Sequence, residues 1–313
     1  MALTEQVSIT TTEIASQPAV WEHALAHLDE FTAALPPPGE RALLIGCGTP
    51  AFISQAAAWL REHSGQGETD WAFASELPAR RYQHVVAFTR SGTTTEVVQA
   101  LAGPLASAHR VTVTAVPSSE VSSCSDQLVD VSYADEESVV QTRFPTAVLA
   151  LWRAALGEDL GPARRDLEQV LADPMPVKAA DFDHFVYLGR GWTVGLANEA
   201  ALKMRECAQA WCESMPALDY RHGPIEAAGE GTLAVSLGGV DDDLLADVRA
   251  TGATVLDVPV DPLARLVLCQ RLAVERAAAK GLDPDNPRHL TRSVILSDSH
   301  PDPDRDPEPT EPT

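Results

Sequence analysis

Basic residues are scarce in this chain of 313 residues, which has 23 lysines and arginines against 45 aspartates and glutamates and a formal net charge of -22. Such an acidic surface repels the phosphate backbone of nucleic acids and the anionic surface of membranes. We therefore expect neither of them as a partner. A small phosphorylated metabolite is compatible with this charge, because helix N-termini and backbone N–H groups bind phosphate inside acidic proteins.

Long apolar runs and paired cysteine motifs are also missing. No run reaches the roughly 18 apolar residues of a membrane-spanning helix, and residues 1–20 lack the basic start and apolar core of a signal peptide. The five cysteines form no CxxC motif, so we expect reduced, inert thiols and a cytoplasmic location. The histidines form no HExxH motif, and we expect neither a metal nor a cofactor.

One pattern occurs twice in the chain. Residues 41–62 and residues 184–206 each consist of a short apolar run, a Gly-x-Gly turn and a helical stretch. Short β-branched runs that alternate with helical stretches follow each copy, which predicts parallel sheets with crossover helices. The runs lie at 84–89, 110–117, 127–132, 231–237 and 253–259, and the helical stretches at 94–109 and 244–252. We therefore expect an α/β protein with two similar subdomains.

The ends of the chain differ from this pattern. We expect residues 1–15 to form a weak strand or an extended segment and residues 18–35 to be helical. The last stretch contains proline and acidic residues without a hydrophobic side chain, so it cannot bury a core and is expected to be disordered. The expected parts are an N-terminal arm (1–24), a first subdomain (25–160), a linker helix region (161–180), a second subdomain (181–297) and a disordered tail (298–313).

The stretch FTRSGTTTEV (88–97) follows an apolar run and begins a helical one. It surrounds Gly92 with hydroxyl side chains and adds Arg90, a residue set that suits a phosphate at a helix N-terminus. The hydroxyl residues are Thr89, Ser91, Thr93, Thr94 and Thr95. Plain helix capping is the alternative, but a cap needs one such residue. A second alternative is dinucleotide binding, because GCGTPA (46–51) fits the GxGxxA fingerprint and Glu76 follows it.

Three charged residues recur at helical spacing in the second copy. Glu199, Lys203 and Glu206 are four and three residues apart, so they share one face of a helix. An exposed face with an ion pair is one interpretation. The alanine-rich surroundings favour a second one, a partly buried and functional set, because buried charges are costly unless they are paired or used. A loop with His222 before Gly-Pro follows this helix.

Taken together, the motifs resemble those of sugar isomerase (SIS) domain proteins. They are GCGTP, FTRSGTT, SVVQTRFPT (138–146), GRG, EAALKMRE, RHGP and KGLDPDNPRHLTRSV (280–294). The resemblance covers roughly residues 25–297 and is nearest to the isomerase half of glucosamine 6-phosphate synthases and to SIS-type amino-sugar phosphate deaminases and lyases. It implies two flavodoxin-like subdomains, a phosphorylated amino sugar as substrate, and a homodimer in which His222 reaches the partner's site.

The resemblance also implies roles for individual residues. Glu206 matches the base that moves the proton between C1 and C2, and His222 matches the residue that opens the sugar ring. Glu199 and Lys203 match residues that assist proton transfer. The residues that match the substrate and phosphate site are Gly48, Thr49, Thr89, Arg90, Ser91, Thr94 and Gln141. Pro50 stands where the synthases have a serine, so we expect one phosphate contact to be lost.

Departures from the family pattern narrow the expected reaction. Arg292 takes the place of a lysine that forms an imine with the ketose, and an arginine cannot do so; it could still stabilise an enolate oxygen. Gln141 replaces a serine beside the site. Met1 is followed by alanine and no glutaminase domain precedes the repeat, so we expect no glutamine-driven amide transfer.

Three functions remain open. We favour a lyase or dehydratase that removes the C2 proton of N-acetylglucosamine 6-phosphate or glucosamine 6-phosphate and eliminates the 3-hydroxyl. A deaminating isomerase that gives fructose 6-phosphate and ammonia is the second alternative. A non-catalytic sugar-phosphate sensor is the third.

Overall fold

A computed structural model describes residues 7–296 of the chain. The expected disordered tail (298–313) lies outside the described residues. Of the helices in the described part, none is both long and apolar enough to cross a membrane.

The chain begins with three helices, α1 (Ile9–Ala15), α2 (Gln17–Ala26) and α3 (Leu28–Ala34). The expected extended segment at the N-terminus was therefore wrong from Ile9 onward, and the expected helix at 18–35 is broken at His27. Ser8 caps α1 by accepting a hydrogen bond from the Thr11 N–H. A second cap comes from Asp285, whose carboxylate accepts from the N–H groups of Ile9 and Thr10. A partner so distant in the sequence gives no local signal.

The first sheet has five strands, and their parallel pairing is as predicted for the first repeat. They are β1 (Ala42–Gly46), β2 (Thr69–Phe73), β3 (His84–Thr89), β4 (His109–Thr114) and β5 (Gln127–Asp130). The helices of this half are α4 (Thr49–His63), α5 (Thr95–Ala102) and α6 (Arg143–Ala155), and α7 (Gly161–Ala172) follows. The strand order β2-β1-β3-β4-β5 is that of flavodoxin-like folds.

The second sheet repeats this order with four parallel strands, β7-β6-β8-β9. Its strands are β6 (His184–Gly189), β7 (Trp211–Pro216), β8 (Thr232–Ser236) and β9 (Thr254–Leu256). Its helices are α8 (Thr193–Ala208), α9 (Asp242–Ala250) and α10 (Pro262–Ala279). The expected fold class, α/β with two parallel sheets flanked by helices, is therefore confirmed. The sequence did not reveal β2 and β7, which are the edge strands of their sheets.

Both Gly-x-Gly turns are explained by close packing between a strand end and the next helix. A Cβ atom at Gly46 would lie 2.5 Å from Pro50, and one at Gly189 would lie 2.2 Å from the Thr193 carbonyl oxygen. Each glycine therefore lets its helix start directly against its strand. Close packing of strand and helix therefore explains why GCGTPA matches a dinucleotide fingerprint, and no bound nucleotide is needed to account for the glycines.

The two halves meet where α4 packs against α8. A Cβ atom at Gly195 would lie 2.5 Å from the Phe52 carbonyl oxygen and 2.9 Å from the Ala56 nitrogen. One continuous apolar cluster includes side chains from both sheets, such as Leu44 on β1 and Phe185 on β6. The halves therefore share a core, and the first turns of α4 and α8 are fixed relative to each other.

Replacing Gly195 with alanine should destabilise the fold by about 1–3 kcal/mol, the usual cost of overpacking. In an ordinary helix the same change stabilises by about 0.5–1 kcal/mol. Urea unfolding of Gly195→Ala, with Gly161→Ala as the control, measures the difference. A Cβ at Gly161 would have side-chain atoms of Asp159 and Arg165 as its nearest neighbours, rather than the backbone of another helix. Equal stability of the two variants would contradict the close contact between α4 and α8.

Candidate functional site

The three charged residues of α8 form one cluster, as their spacing predicts. The Lys203 ammonium lies 3.4 Å from a Glu199 oxygen and 2.5 Å from a Glu206 oxygen. The side chains of Glu199 and Lys203 are 0% and 1% exposed, whereas that of Glu206 is 18% exposed. The interpretation as an exposed charged face was therefore wrong. Glu206 is the member of the cluster that solvent or a ligand can reach.

Burial and neighbouring charges set the protonation of this cluster. Burial raises the pKa of Glu199 to about 8, Lys203 acts against this rise, and Glu206 adds to it. Burial alone would lower the pKa of Lys203, but the carboxylates of Glu199 and Glu206 outweigh it and raise that pKa above its usual value. Lys203 therefore stays an ammonium, while Glu199 exchanges a proton near neutral pH. Among residues 7–296, the second carboxyl oxygen of Glu199 has no hydrogen-bond partner.

Thr49 extends the cluster into the first subdomain. It is the first residue of α4, directly after Gly48, whose φ of 59° places the turn in the left-handed region. The Thr49 hydroxyl accepts a hydrogen bond from Lys203 at 3.0 Å and donates one to Glu199 at 3.2 Å. The cluster thus has members from both halves of the protein.

The hydroxyl-rich loop begins at the carboxyl end of β3, which is the strand next to β1 in the same sheet. β1 pairs with both β2 and β3, so the chain leaves β1 toward one side and returns on the other. The carboxyl ends of β1 and β3 therefore form a topological switch point, where ligands bind in open α/β sheets. Thr49 follows β1, and Ser91 and Thr93 follow β3, so the predicted phosphate loop and the charged cluster lie at the carboxyl ends of neighbouring strands.

A C-terminal residue completes this loop. The Ser293 hydroxyl accepts hydrogen bonds from Ser91 at 3.1 Å and from Thr93 at 2.9 Å, and the hydroxyl oxygens of Thr93 and Ser91 lie 3.2 Å apart. The segment is held further by a hydrogen bond from the Thr95 N–H to the Val294 carbonyl. The sequence analysis missed Ser293, although it lies in the quoted HLTRSV motif beside Arg292. Thr89 accepts from the Gly92 N–H at 3.2 Å, and Thr94 caps α5 without a side-chain hydrogen bond.

Arg90 is placed differently from the expectation. Its side chain is buried, and its guanidinium donates to the carbonyls of Ser138 at 2.8 Å and Arg292 at 2.9 Å. It also lies 4.0 Å from a buried Glu136 oxygen. These contacts tie the phosphate loop to the 136–139 segment and to the C-terminal segment, which argues against a direct phosphate contact for Arg90.

Arg292 and Gln141 lie beside these segments. The Arg292 guanidinium donates to both oxygens of Asp135, at 2.5 and 2.8 Å, and to the Glu136 carbonyl. Its charge is therefore already paired. Gln141 is half-buried, and its side-chain oxygen has no hydrogen-bond partner among residues 7–296. An unsatisfied buried acceptor of this kind suits a ligand hydroxyl or amine.

His222 is exposed and ends a short turn before Gly223, whose φ is 127°. A further glutamate after α8, Glu213, lies on β7 and is 3.8 Å from His184 on β6, so it is not part of the cluster of Glu199, Lys203 and Glu206. Across residues 7–296 there is no group of three or more histidine, cysteine or acidic side chains that could hold a metal ion. The five cysteines are free thiols.

Comparison with known proteins relates this chain to two kinds of relatives. The chain is 28% identical over 316 residues to glutamine–fructose-6-phosphate aminotransferase (isomerizing) of Gloeobacter violaceus, covering 82% of this chain and 52% of the relative. For the enzyme of the same name from Methanothermobacter thermautotrophicus the values are 26%, 91% and 57%. The chain spans about half the length of the curated relatives it matches. No family model matches the chain.

In structure, the chain resembles glucosamine-6-phosphate deaminase of Thermotoga maritima with a TM-score of 0.80 and 25% identity, covering 92% of this chain and all of the other. It resembles tagatose-6-phosphate ketose/aldose isomerase of Escherichia coli with a TM-score of 0.74 and 20% identity, covering 94% and 98%. The second likeness shows the fold alone. The resemblance to SIS proteins, predicted from the motifs, is confirmed by these sequence and structure relatives together.

The raised pKa of Glu199 has a measurable effect on stability. An unfolded glutamate ionises near pH 4.5, whereas folded Glu199 ionises near 8. Its contribution to stability is therefore complete below pH 4.5 and is lost as the pH rises through 8. The unfolding free energy of Glu199→Gln should decline less steeply than that of the wild type across this range. The slopes should differ by at most about 1.4 kcal/mol per pH unit.

Urea unfolding at several pH values tests this expectation. Glu62→Gln, which removes an exposed carboxylate from α4, serves as the control and should keep the wild-type slope. Parallel pH profiles for Glu199→Gln and the wild type would show that Glu199 is ionised in the folded protein.

Proposed function

We propose that this protein is an amino-sugar 6-phosphate enzyme that removes the C2 proton and converts the aldose to a ketose with release of ammonia. The observation that carries the proposal is the cluster of Glu199, Lys203 and Glu206 beside a hydroxyl-rich loop at one switch point. The likeness to a glucosamine-6-phosphate deaminase over nearly the whole chain supports it. The isomerizing aminotransferase relatives support the same type of proton transfer.

Glu206 is the proposed base because it is the cluster member that is partly exposed, and Lys203 orients its carboxylate. In the open-chain sugar, Glu206 takes the C2 proton, the electron pair forms the C1–C2 double bond, and the carbonyl π pair moves to O1, which takes up a proton. Glu206 then returns its proton to C1, and the nitrogen lone pair forms a C=N bond, which leaves an iminium at C2. Water adds there, and ammonia leaves, which gives the ketose. Positioned acid–base catalysis of this kind contributes about 10²–10⁴-fold in rate.

Ring opening and substrate binding complete the proposal. The exposed His222 would open the ring in the site of a partner subunit in a homodimer, because an imidazole can both accept and donate a proton. Ser91, Thr93, Thr94 and Ser293 would hold the phosphate with hydroxyl groups at the start of α5. The unsatisfied oxygen of Gln141 would accept a hydrogen bond from the sugar.

Elimination is the second candidate, and Arg292 is the observation that favours it. An arginine cannot form the imine that a lysine at this position would form, so the enolised sugar must react without it. If the nitrogen is acetylated, ammonia cannot leave through an iminium, and loss of the 3-hydroxyl as water becomes the open route. N-acetylglucosamine 6-phosphate would be the substrate of such a lyase.

Proton NMR in deuterium oxide distinguishes the two reactions. With glucosamine 6-phosphate, we expect the C2 proton signal to disappear while fructose 6-phosphate and ammonia accumulate. Glu206→Gln should reduce turnover by about 10²–10⁴-fold, because the base is lost. Glu213→Gln, which removes a carboxylate from β7 outside the cluster, should keep the wild-type rate.

The other outcomes identify the rival functions. An olefinic product from the acetylated sugar, with glucosamine 6-phosphate unchanged, would show the lyase. Binding of both sugars without any reaction would show a sensor and would contradict an enzymatic role.

The phosphate loop makes a separate prediction. Ser91→Ala and Ser293→Ala should each raise the KM for the sugar phosphate by about 10-fold or more, since a hydrogen bond to a charged group contributes about 1.5–3 kcal/mol. Steady-state kinetics and titration with inorganic phosphate measure the effect. Ser122→Ala is the matched control, because Ser122 is exposed and follows β4, the neighbour of β3. If the KM is unchanged in both Ser91→Ala and Ser293→Ala, this loop does not bind the phosphate.

A further inference from the structure

Thr49 belongs to the motif that matches a phosphate site, but its side chain points to a different role. The residue is 3% exposed. A threonine hydroxyl has one hydrogen to donate, and here Thr49 donates it to Glu199 at 3.2 Å. A phosphate dianion only accepts hydrogen bonds, so it would have to draw this hydrogen away from a buried glutamate. The hydrogens of Ser91 and Thr93 go to the hydroxyl of Ser293 instead, a weaker acceptor from which they can turn to a phosphate.

The Thr49 hydroxyl also closes a chain of hydrogen bonds. Lys203 donates to Thr49 at 3.0 Å and to Glu206, so Glu206, Lys203, Thr49 and Glu199 are connected in that order. The chain begins at the partly exposed Glu206 and ends at the fully buried Glu199. Without the Thr49 hydroxyl, the contact between the two ends would be the 3.4 Å approach of Lys203 to Glu199.

We propose that Thr49 is a positioning residue for the acid–base cluster rather than a phosphate ligand. It holds the Lys203 ammonium between the two glutamates and donates to the ionised form of Glu199. Because Thr49 starts α4 and the three charged residues lie on α8, the cluster is assembled only when the two subdomains pack together. This inference rests on the proposed function for its catalytic consequence, but not for its structural part.

Few groups face Glu199, so the effect of the Thr49 hydrogen bond on its protonation can be separated from the effects of the other groups. Lys203 and Glu206 are the charged groups that act on it, and Thr49 is the hydrogen-bond donor from the opposing helix. Cys207 is a further titratable group near the cluster, and burial raises its pKa to about 12, so it stays a neutral thiol near pH 7. Loss of the Thr49 donor should raise the pKa of Glu199 further, because that hydrogen bond favours the carboxylate.

Thr49→Val and Thr49→Ser test the proposal in the full chain. Valine keeps the shape and removes the hydroxyl, whereas serine keeps the hydroxyl. We expect Thr49→Val to lower kcat by roughly 10- to 100-fold, the range of one hydrogen bond to a charged group. The KM for the sugar phosphate and the affinity for inorganic phosphate should stay within about 2-fold, and Thr49→Ser should restore kcat. A weaker affinity for inorganic phosphate in Thr49→Val with an unchanged kcat would overturn the proposal.

A readout without turnover separates this inference from the proposed reaction. Infrared difference spectra across pH, assigned with Glu199→Gln, follow the protonation of Glu199 in the unliganded protein. An upward shift of this titration in Thr49→Val, and not in Thr49→Ser, supports the positioning role even if no sugar phosphate is turned over. An unchanged titration overturns it. If the valine variant does not fold, Thr49→Ala gives the same comparison with a smaller side chain.

Discussion

A lysine ammonium and two glutamates lie together in the interior of this protein, and the rest of the site depends on how they are kept there. Buried charges are costly unless each has partners. Lys203 meets this condition by approaching oxygens of Glu199, Glu206 and Thr49. One cation shared between two carboxylates cannot fully neutralise both, and the more deeply buried Glu199 therefore holds its proton to a higher pH. The imbalance supplies an acid–base group near neutrality.

The close packing of α4 against α8 follows from the same requirement. Gly195 lets the backbone of α4 approach, and this approach brings Thr49 within reach of Lys203 and Glu199. The duplicated architecture is therefore more than two copies of one sheet. One copy supplies the charged helix and the other supplies the hydroxyl that organises it, together with the hydroxyl-rich loop on the neighbouring strand.

Two arginines near the hydroxyl-rich loop are also paired with other groups of the protein. Arg90 donates hydrogen bonds to the backbone carbonyls of Ser138 and Arg292. Arg292 in turn donates to the carboxylate of Asp135. A phosphate in the proposed site would therefore be held by hydroxyl groups and the N-terminus of α5 rather than by a guanidinium. In a protein with a net charge of -22, such neutral donors allow an anion to bind without a strongly basic surface.

Sequence patterns predicted those parts of the structure that depend on local periodicity. The common face of Glu199, Lys203 and Glu206 followed from helix geometry, and β3 matched its apolar run from His84 to Thr89. Features that depend on distant partners were missed. Asp285 caps α1 from the far end of the chain, and Ser293 reaches the phosphate loop in the same way. For Arg90 the residue type suggested phosphate binding, but carbonyl groups brought in by other segments surround it.

The choice between ammonia release and water elimination lies outside the charged cluster. Both reactions begin with removal of the C2 proton, and Glu206 and Lys203 would serve either one. They diverge afterwards, when a proton must reach C1 for the ketose or the 3-hydroxyl for elimination. The groups that decide are therefore those that contact N2 and O3 of the sugar. Gln141 and Arg292, which pairs with Asp135, are two of the positions at which this chain departs from the family pattern. If the proposed sugar phosphate binds here, the residues around Gln141 and Arg292 would therefore decide which reaction follows.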